Sequence, residues 1–266
     1  MGVISPVGND VITFWDNLCN GVCGIESIKA FPTDNLPVGI AGIIKDFKPE
    51  EYGMDKPFIR KQDLFTQYGV AAAYQAMKQS GLVSQGEGQN IDPFRLGVYF
   101  GSGIGGFATQ YREIAKMIED PSGQWISPLF IPTMISNIAA GHIAIMHHAE
   151  GPCLDIVTAC ATSTNAMGEA FRAIRNGYAD AIITGGCENA TIPIGIVGFA
   201  NAKALSRATD PKYASLPFNA NRAGFVMADG SAALVLEEYE HAKARGAQIL
   251  GEMVGYGNTC DAYHST

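Results

Sequence analysis

The sequence predicts an α/β fold with a mostly parallel sheet covered by helices on both faces. Short apolar segments alternate with segments whose apolar residues recur at helical spacing, and strands separated by helices favour right-handed βαβ connections. Hydrophobic residues make up 47% of the 266 residues and charged residues only 17%, against a usual charged share of about 25%. We therefore expect a large core or an apolar subunit interface.

Periodicity and turn residues predict the individual elements. Helices are predicted where apolar residues recur at roughly every third or fourth position, and Gly81 and Gly246 stand where two helices should end. Strands are predicted where a short apolar run lies between turn residues. In chain order, the predicted elements are a helix over 63–80, a strand over 96–100, a helix from the glycines at 101–106 to about 120, a helix over 127–149, a strand over 154–159, a helix over 162–177, strands over 181–184 and 231–236, and a helix over 237–245.

Composition argues against several classes of function. The chain has 26 acidic and 18 basic residues, a net charge of −8, whereas a nucleic-acid-binding surface needs a basic footprint. We find no signal peptide and no apolar run of the ~18–20 residues that a membrane span needs. The six cysteines are scattered, without the ligand spacing typical of zinc. We therefore expect a cytoplasmic protein with reduced thiols, no metal, and no nucleic-acid or membrane partner.

Cys160 lies at the junction between the strand predicted over 154–159 and the helix predicted over 162–177. The first turn of a helix has unpaired N–H groups and the positive end of the helix dipole, which together favour a thiolate. A sharp turn there would lift the sulfur out of the sheet, and the adjacent N–H could bind an oxyanion. The junction predicts a nucleophile elbow. The alternative is a small apolar side chain that fills a gap between helix and sheet.

Gly101, Gly103 and Gly106 match the pattern G-x-G-x-x-G between a strand and a helix, which also occurs in dinucleotide-binding sites. That fingerprint needs a second strand that ends in an acidic residue about 20 positions further on. Residues 121–130 contain two prolines and predict no strand. A nucleotide site is therefore disfavoured.

Seven short motifs occur in one order along nearly the whole chain. They are VISPVGN at 3–9, DLFTQYG at 63–69, GSGIGG at 101–106, LDIVTACATSTNAMGEAF at 154–171, GFANAKALS at 198–206, PFNANRAGFV at 217–226 and DAYH at 261–264. Together they closely resemble the β-ketoacyl-[acyl-carrier-protein] synthase family, in particular type II of bacterial fatty-acid elongation. The resemblance implies a thiolase-like fold of stacked αβαβα layers, assembled as a homodimer.

The resemblance also implies the reaction and its residues. A condensing acyltransferase of this family joins an acyl chain to malonyl-[acyl-carrier protein] by decarboxylative Claisen condensation, and Cys160 matches the cysteine that holds the acyl chain as a thioester. The acyl carrier protein brings its substrates on phosphopantetheine, and no further cofactor is implied. The resemblance implies that the glycines at 101–106 form a loop close to the active site. The substrate-binding residues that it implies are Gly103, Ile104, Phe130, Met134 and Phe199, and the carrier-docking residues are Arg60, Lys61 and Lys203.

The chain departs from the family pattern in three places. The strand that usually precedes VISPVGN is missing, and Ala228 replaces a residue that is usually glycine. The two histidines and one lysine that promote decarboxylation in the family belong to motifs later than Thr266. We therefore expect a partial chain, in which 1–250 is the N-terminal half that carries the nucleophile and 251–266 is the first strand of the second half.

Two other functions fit the same motifs. One is a non-catalytic partner subunit that binds the carrier protein, as a chain-length factor does, and the other is a thiolase-type acyltransferase that acts on coenzyme A esters. Inactive partner subunits usually lack the cysteine, so the presence of Cys160 favours the enzyme.

Overall fold

A computed structural model describes residues 1–264. The strands are β1 (Gly2–Ile4), β2 (Ile25–Ser27), β3 (Ile40–Gly42), β4 (Leu96–Gly101), β5 (Cys153–Leu154), β6 (Ala181–Glu188) and β7 (Gly230–Glu237). Five of them form the main sheet in the order β1-β7-β6-β4-β5, and β2 and β3 form a separate antiparallel pair. The helices are α1 (Val11–Cys19), α2 (Lys56–Lys61), α3 (Leu64–Ser80), α4 (Phe107–Glu119), α5 (Phe130–Met134), α6 (Ile138–Met146), α7 (Thr162–Arg175), α8 (Pro193–Asn201) and α9 (Tyr239–Ala244).

Four of the five strands in the main sheet run in one direction. β4 pairs in parallel with β5 and β6, and Val98 lies opposite Cys153 on one side and Ile183 on the other. β7 runs antiparallel to both of its neighbours, β6 and β1. The prediction of a mostly parallel sheet is confirmed, with β7 as the exception.

Helices cover both faces of this sheet. Because side chains alternate along a strand, Val98 and Phe100 of β4 join the core formed with α3 and α6. Tyr99 points to the opposite face, where it packs with Ala170 and Ala173 of α7. The small side chains of α7 allow close approach to the sheet. The described residues thus form three layers, helix, sheet and helix, and the predicted α/β class is confirmed.

Two of the predicted elements are shorter than expected. The single helix over 127–149 was wrong, because Ile135 has an extended backbone (ψ 139°) that separates α5 from α6. The strand over 154–159 was also wrong, since pairing ends at Leu154. Beyond it the Asp155 carboxylate accepts a hydrogen bond from Ser136 Oγ at 2.5 Å, and the chain then turns toward α7.

The end of the chain contains no strand within 251–264, whereas the sequence predicted one over 251–266. Residues 265 and 266 lie outside the described part. A strand needs a neighbouring strand for its N–H and C=O groups, and the structure instead packs Tyr256 of this segment against α7. The division of the chain into two halves stays a prediction. No helix within residues 1–264 combines the length and the apolar character that crossing a membrane requires.

Candidate active site

Cys160 is the central residue of a short 3-10 turn, Ala159–Ala161, that joins the end of β5 to α7. Ala159 has a φ of 50°, a left-handed conformation that is unfavourable for residues other than glycine. The Cys160 side chain is exposed. The predicted elbow is therefore present in geometry, with the thiol held outside the sheet at the start of a helix.

Hydrogen bonds within the turn hold this conformation. The backbone N–H of Thr158 donates to Thr162 Oγ1 at 2.9 Å, and the N–H of Ala161 donates to the carbonyl of Thr158 at 3.0 Å. α7 begins without a side chain that caps it, so N–H groups of its first turn lack an intrahelical partner. A carbonyl oxygen that becomes negative next to Cys160 could accept hydrogen bonds from them.

Glu188 holds the glycine-rich loop against this turn. Its carboxylate accepts hydrogen bonds from Ser102 Oγ at 2.9 Å and from the N–H of Gly103 at 2.8 Å. A Cβ on Gly103 would lie 2.8 Å from Glu188 Oε2 and 3.7 Å from the carbonyl oxygen of Ala159. A side chain at this position would therefore displace the Glu188 carboxylate, and the loop passes between that carboxylate and the backbone of Ala159, the residue before Cys160.

The same loop contacts α5. The N–H of Gly106 donates to the carbonyl of Met134 at 2.9 Å. Gly105 has a φ of 77°, and a Cβ on it would lie 2.8 Å from the same carbonyl oxygen. Met134 and Phe130 are half-buried, and Ile104 between the glycines is exposed. The structure therefore brings the loop that carries Gly103 and Ile104 against α5, the helix that carries Phe130 and Met134.

Phe199 belongs to another part of the surface. It lies near the end of α8, and its ring packs edge-on against that of Phe225 with 5.5 Å between centroids. The start of α8 is fixed by Asp229, whose carboxylate accepts hydrogen bonds from Asn189 Nδ2 and from the N–H groups of Ala190 and Thr191. Among the described contacts of Phe199, none reaches Cys160, so its predicted role in substrate binding rests on the motif alone.

The predicted docking residues are all exposed and lie on two segments of the chain. Arg60 and Lys61 end α2, and the carbonyl of Lys61 accepts a hydrogen bond from Thr133 Oγ1 of α5 at 3.0 Å. This pair therefore lies next to the helix that carries Phe130 and Met134. Lys203 follows α8 with a φ of 60°, on the Phe199 side of the site.

Sequence reasoning missed several groups that shape the site. Burial raises the pKa of Glu188 and of Asp155, and hydrogen bonds from Ser102, Gly103 and Ser136 partly offset it. The position of Glu188 at the carboxyl end of a parallel strand could have indicated a site residue. The hydrogen bond from the Tyr256 hydroxyl to Asn165 Oδ1 was also missed, because no motif spacing points to it. Residues 1–264 contain no group of three or more His, Cys, Asp or Glu side chains suited to a metal ion.

Comparisons with known proteins show which family this chain is similar to. Residues 1–242 match the family model of the beta-ketoacyl synthase N-terminal domain. The chain is 46% identical to "3-oxoacyl-[acyl-carrier-protein] synthase 2" of Vibrio cholerae serotype O1 and 45% identical to the protein of the same name from Staphylococcus aureus strain N315. Each alignment extends over 267 residues and covers all of this chain and 63% of the relative. The chain therefore spans less than two thirds of these relatives.

A solved structure shows the same fold. It is a type II polyketide acyl-carrier protein in complex with its ketosynthase bound to the hexaketide, and it superposes with a TM-score of 0.86 at 30% identity over 99% of this chain and 62% of the other. The thiolase-like fold inferred from the sequence motifs is thereby confirmed. The chain belongs to the beta-ketoacyl synthase family, whose N-terminal domain accounts for residues 1–242.

Proposed function

We propose that this chain carries the acyl-accepting part of a 3-oxoacyl-[acyl-carrier-protein] synthase, with Cys160 as the nucleophile. The observation that carries the proposal is the elbow, because an exposed thiol, a left-handed Ala159 and an uncapped start of α7 coincide there. The relatives named 3-oxoacyl-[acyl-carrier-protein] synthase 2 support the class of reaction. The resemblance further supports a cytoplasmic location.

In the proposed first step, the Cys160 thiolate attacks the carbonyl of an acyl thioester on the carrier protein's phosphopantetheine. A carbon–sulfur bond to Cys160 forms, the bond to the carrier sulfur breaks, and the carrier leaves as the thiol after taking up a proton. N–H groups at the start of α7 stabilise the negative charge on the carbonyl oxygen during the attack. The step uses no metal and no cofactor other than the phosphopantetheine.

In the proposed second step, malonyl-[acyl-carrier protein] loses carbon dioxide, and the resulting carbanion attacks the acyl carbonyl on Cys160. The new carbon–carbon bond gives the 3-ketoacyl product, and Cys160 leaves as a thiolate. A thioester suits both steps because its carbonyl is electrophilic and its sulfur is a good leaving group. The residues of this chain account for the first step, and the histidines and lysine implied for decarboxylation lie in later motifs.

The acyl chain is proposed to bind beside the glycine-rich loop. Gly103 and Ile104 line it on the elbow side, and Phe130 and Met134 line it from α5, which the loop contacts through the Met134 carbonyl. Phe199 is proposed to close it from α8. Four of these residues are apolar and partly accessible, as a channel for a hydrocarbon chain requires.

The proposed partners are the acyl carrier protein and a second copy of the chain. A carrier protein binds the ketosynthase in the superposed structure, and Arg60, Lys61 and Lys203 are exposed cations that could meet an acidic carrier.

The exposed apolar residues of α4 and α5, among them Ile118 and Ile131, support an apolar two-fold interface. An obligate interface of this kind buries ~2,000 Å² or more, and a monodisperse monomer at micromolar concentration in light scattering would contradict it.

Limiting iodoacetamide at neutral pH tests the nucleophile. Cys19, Cys23, Cys153 and Cys260 are exposed like Cys160, so exposure alone predicts comparable labelling of all five. The proposal expects peptide mapping to find Cys160 labelled first. Incubation of the full-length protein with an acyl-carrier thioester should then add one acyl mass to the Cys160 peptide, and the Cys160→Ser variant should not accumulate a thioester. Equal labelling of Cys19, or acylation at another residue, would overturn the assignment.

A further inference from the structure

Tyr256 fastens the end of the described chain to the outer side of α7. A Cβ placed on Gly168 would lie 2.2 Å from the Tyr256 ring. The ring therefore packs directly on the helix backbone at Gly168, because glycine has no side chain to keep it away. The Arg172 guanidinium also lies 4.8 Å from the ring centroid, a distance typical of a cation–π contact. Two contacts with α7 thus hold the ring, although residues 251–264 form neither helix nor strand.

The Tyr256 hydroxyl begins a chain of hydrogen bonds that ends at the elbow. It donates to Asn165 Oδ1 at 2.7 Å, and Asn165 Nδ2 donates to Thr158 Oγ1 at 2.8 Å. The two ends of the amide thus bridge two hydroxyl groups, so the Asn165 side chain is held from both ends and links Tyr256 to Thr158. Thr158 is the second residue before Cys160, and its backbone N–H is held by Thr162.

The elbow needs such support because its backbone is strained. A non-glycine residue in the left-handed region costs on the order of 1–3 kcal/mol and persists only where neighbouring contacts fix it. Ala159 has this conformation at a φ of 50°, and its own side chain is a methyl group that makes no hydrogen bond. Thr158 is the adjacent residue with a side chain that the structure anchors, and its anchor is Asn165.

We propose that Asn165 and Tyr256 are positioning residues for Cys160, which act through Thr158 to hold the strained elbow in its reactive geometry. The inference rests on the proposed function, since it assigns these residues to the acylation step. Neither residue touches the reacting atoms. Their effect is on the turn that places the sulfur at the start of α7, and therefore on the rate of attack more than on substrate affinity.

The Tyr256→Phe variant removes one hydroxyl and keeps the ring on Gly168. The loss of a single neutral hydrogen bond corresponds to a rate change of roughly threefold to tenfold. In the full-length protein, we expect kcat for transfer from an acyl-carrier thioester to fall by about that factor, with KM unchanged. The second-order rate of Cys160 alkylation by iodoacetamide should fall as well. Tyr239→Phe is the matched control, because this exposed tyrosine of α9 contacts Lys243 through its ring.

A double-mutant comparison separates positioning from packing. Asn165→Ala should slow both reactions at least as much as Tyr256→Phe, and the double variant should be no slower than Asn165→Ala, since the hydroxyl then has nothing to orient. Additive losses, or Tyr256→Phe rates equal to those of the Tyr239→Phe control, would overturn the inference. If the wild type forms no acyl-Cys160, the proposed function fails, whereas the alkylation rates still support or contradict the hydrogen-bonded chain.

Discussion

Glu188 accepts a hydrogen bond from the backbone N–H of Gly103 at 2.8 Å, and this contact joins the end of β6 to the loop beside Cys160. The second oxygen of Glu188 accepts from Ser102 Oγ, whose oxygen in turn accepts from the N–H of Gly105. One carboxylate therefore holds Ser102 and Gly103 directly, and it holds Gly105 through the Ser102 hydroxyl. Because the loop has no strand partner at this point, its shape depends on that carboxylate.

Replacing Glu188 by alanine tests this dependence. The variant leaves the Gly103 N–H and the Ser102 hydroxyl without their partner in a partly buried position, and unpaired donors of this kind cost about 1–3 kcal/mol each. We expect the free energy of unfolding, measured with urea, to fall by about 2–4 kcal/mol. Glu87→Ala is the control, because Glu87 lies in an exposed loop. Equal stability of the two variants would show that the loop does not depend on Glu188.

Two glycines with opposite surroundings give a second test. A Cβ on Gly101 would lie 2.2 Å from the Ile156 carbonyl oxygen and 2.4 Å from Thr162 Cγ2, whereas a Cβ on Gly141 of α6 meets nothing within 4 Å. Gly101→Ala should therefore push the elbow from the sheet and cost about 1–3 kcal/mol. Gly141→Ala should stabilise the protein by about 0.5–1 kcal/mol through helix propensity. Thermal unfolding followed by circular dichroism measures both, and shifts of the same sign would contradict the packing described.

His147 at the end of α6 predicts a pH dependence of stability. Burial, with a smaller effect of the neighbouring His148 charge, lowers the pKa of His147 from 6.5 to about 4. The unfolded chain therefore binds more protons than the folded chain between these values, and the free energy of unfolding decreases as the pH falls from 6.5 to 4. One such group contributes at most about 1.4 kcal/mol per pH unit.

His147→Gln should flatten that slope, because the variant has no group that titrates at this position. Urea unfolding at several pH values between 4 and 7 measures the slope for both proteins. The exposed His148 provides the control, and His148→Gln should keep most of the wild-type dependence. A His147→Gln protein with the wild-type slope would place the responsible group elsewhere.

The parts of the fold that follow from local pattern could be predicted, and those that follow from contacts between distant residues could not. The helix over 63–80 and the strand over 96–100 are confirmed nearly to the residue as α3 and β4, because their apolar spacing matches the faces they bury. The break at Ile135 was missed although Pro132 stands three residues before it, because helical spacing resumes beyond the break and the bond between Ser136 and Asp155 joins residues of separate segments.

The candidate site shows the same division. Cys160 and Gly103 stand in motifs, Met134 follows from the family resemblance, and the structure places the three on connected segments. Glu188 and Tyr256 instead make hydrogen bonds to residues far away along the chain. A sequence does not reveal such pairs, because neither partner changes the periodicity around it.

The exposed cations of the docking proposal provide the last prediction. The chain has a net charge of −8, so its overall field repels an acidic carrier protein and only a local cationic surface can favour the encounter. Changing Arg60, Lys61 and Lys203 together to glutamate should slow acyl transfer from the carrier protein by about tenfold or more at low salt. Transfer from a small acyl thioester should stay nearly unchanged, because Cys160 is untouched. Lys78→Glu, an exposed charge reversal at the end of α3, is the control for the change in net charge when it is compared with Lys61→Glu alone, because each of these two variants reverses one charge. If both substrates slow equally, or if Lys78→Glu slows carrier transfer as much as Lys61→Glu does, these three residues do not form the docking site.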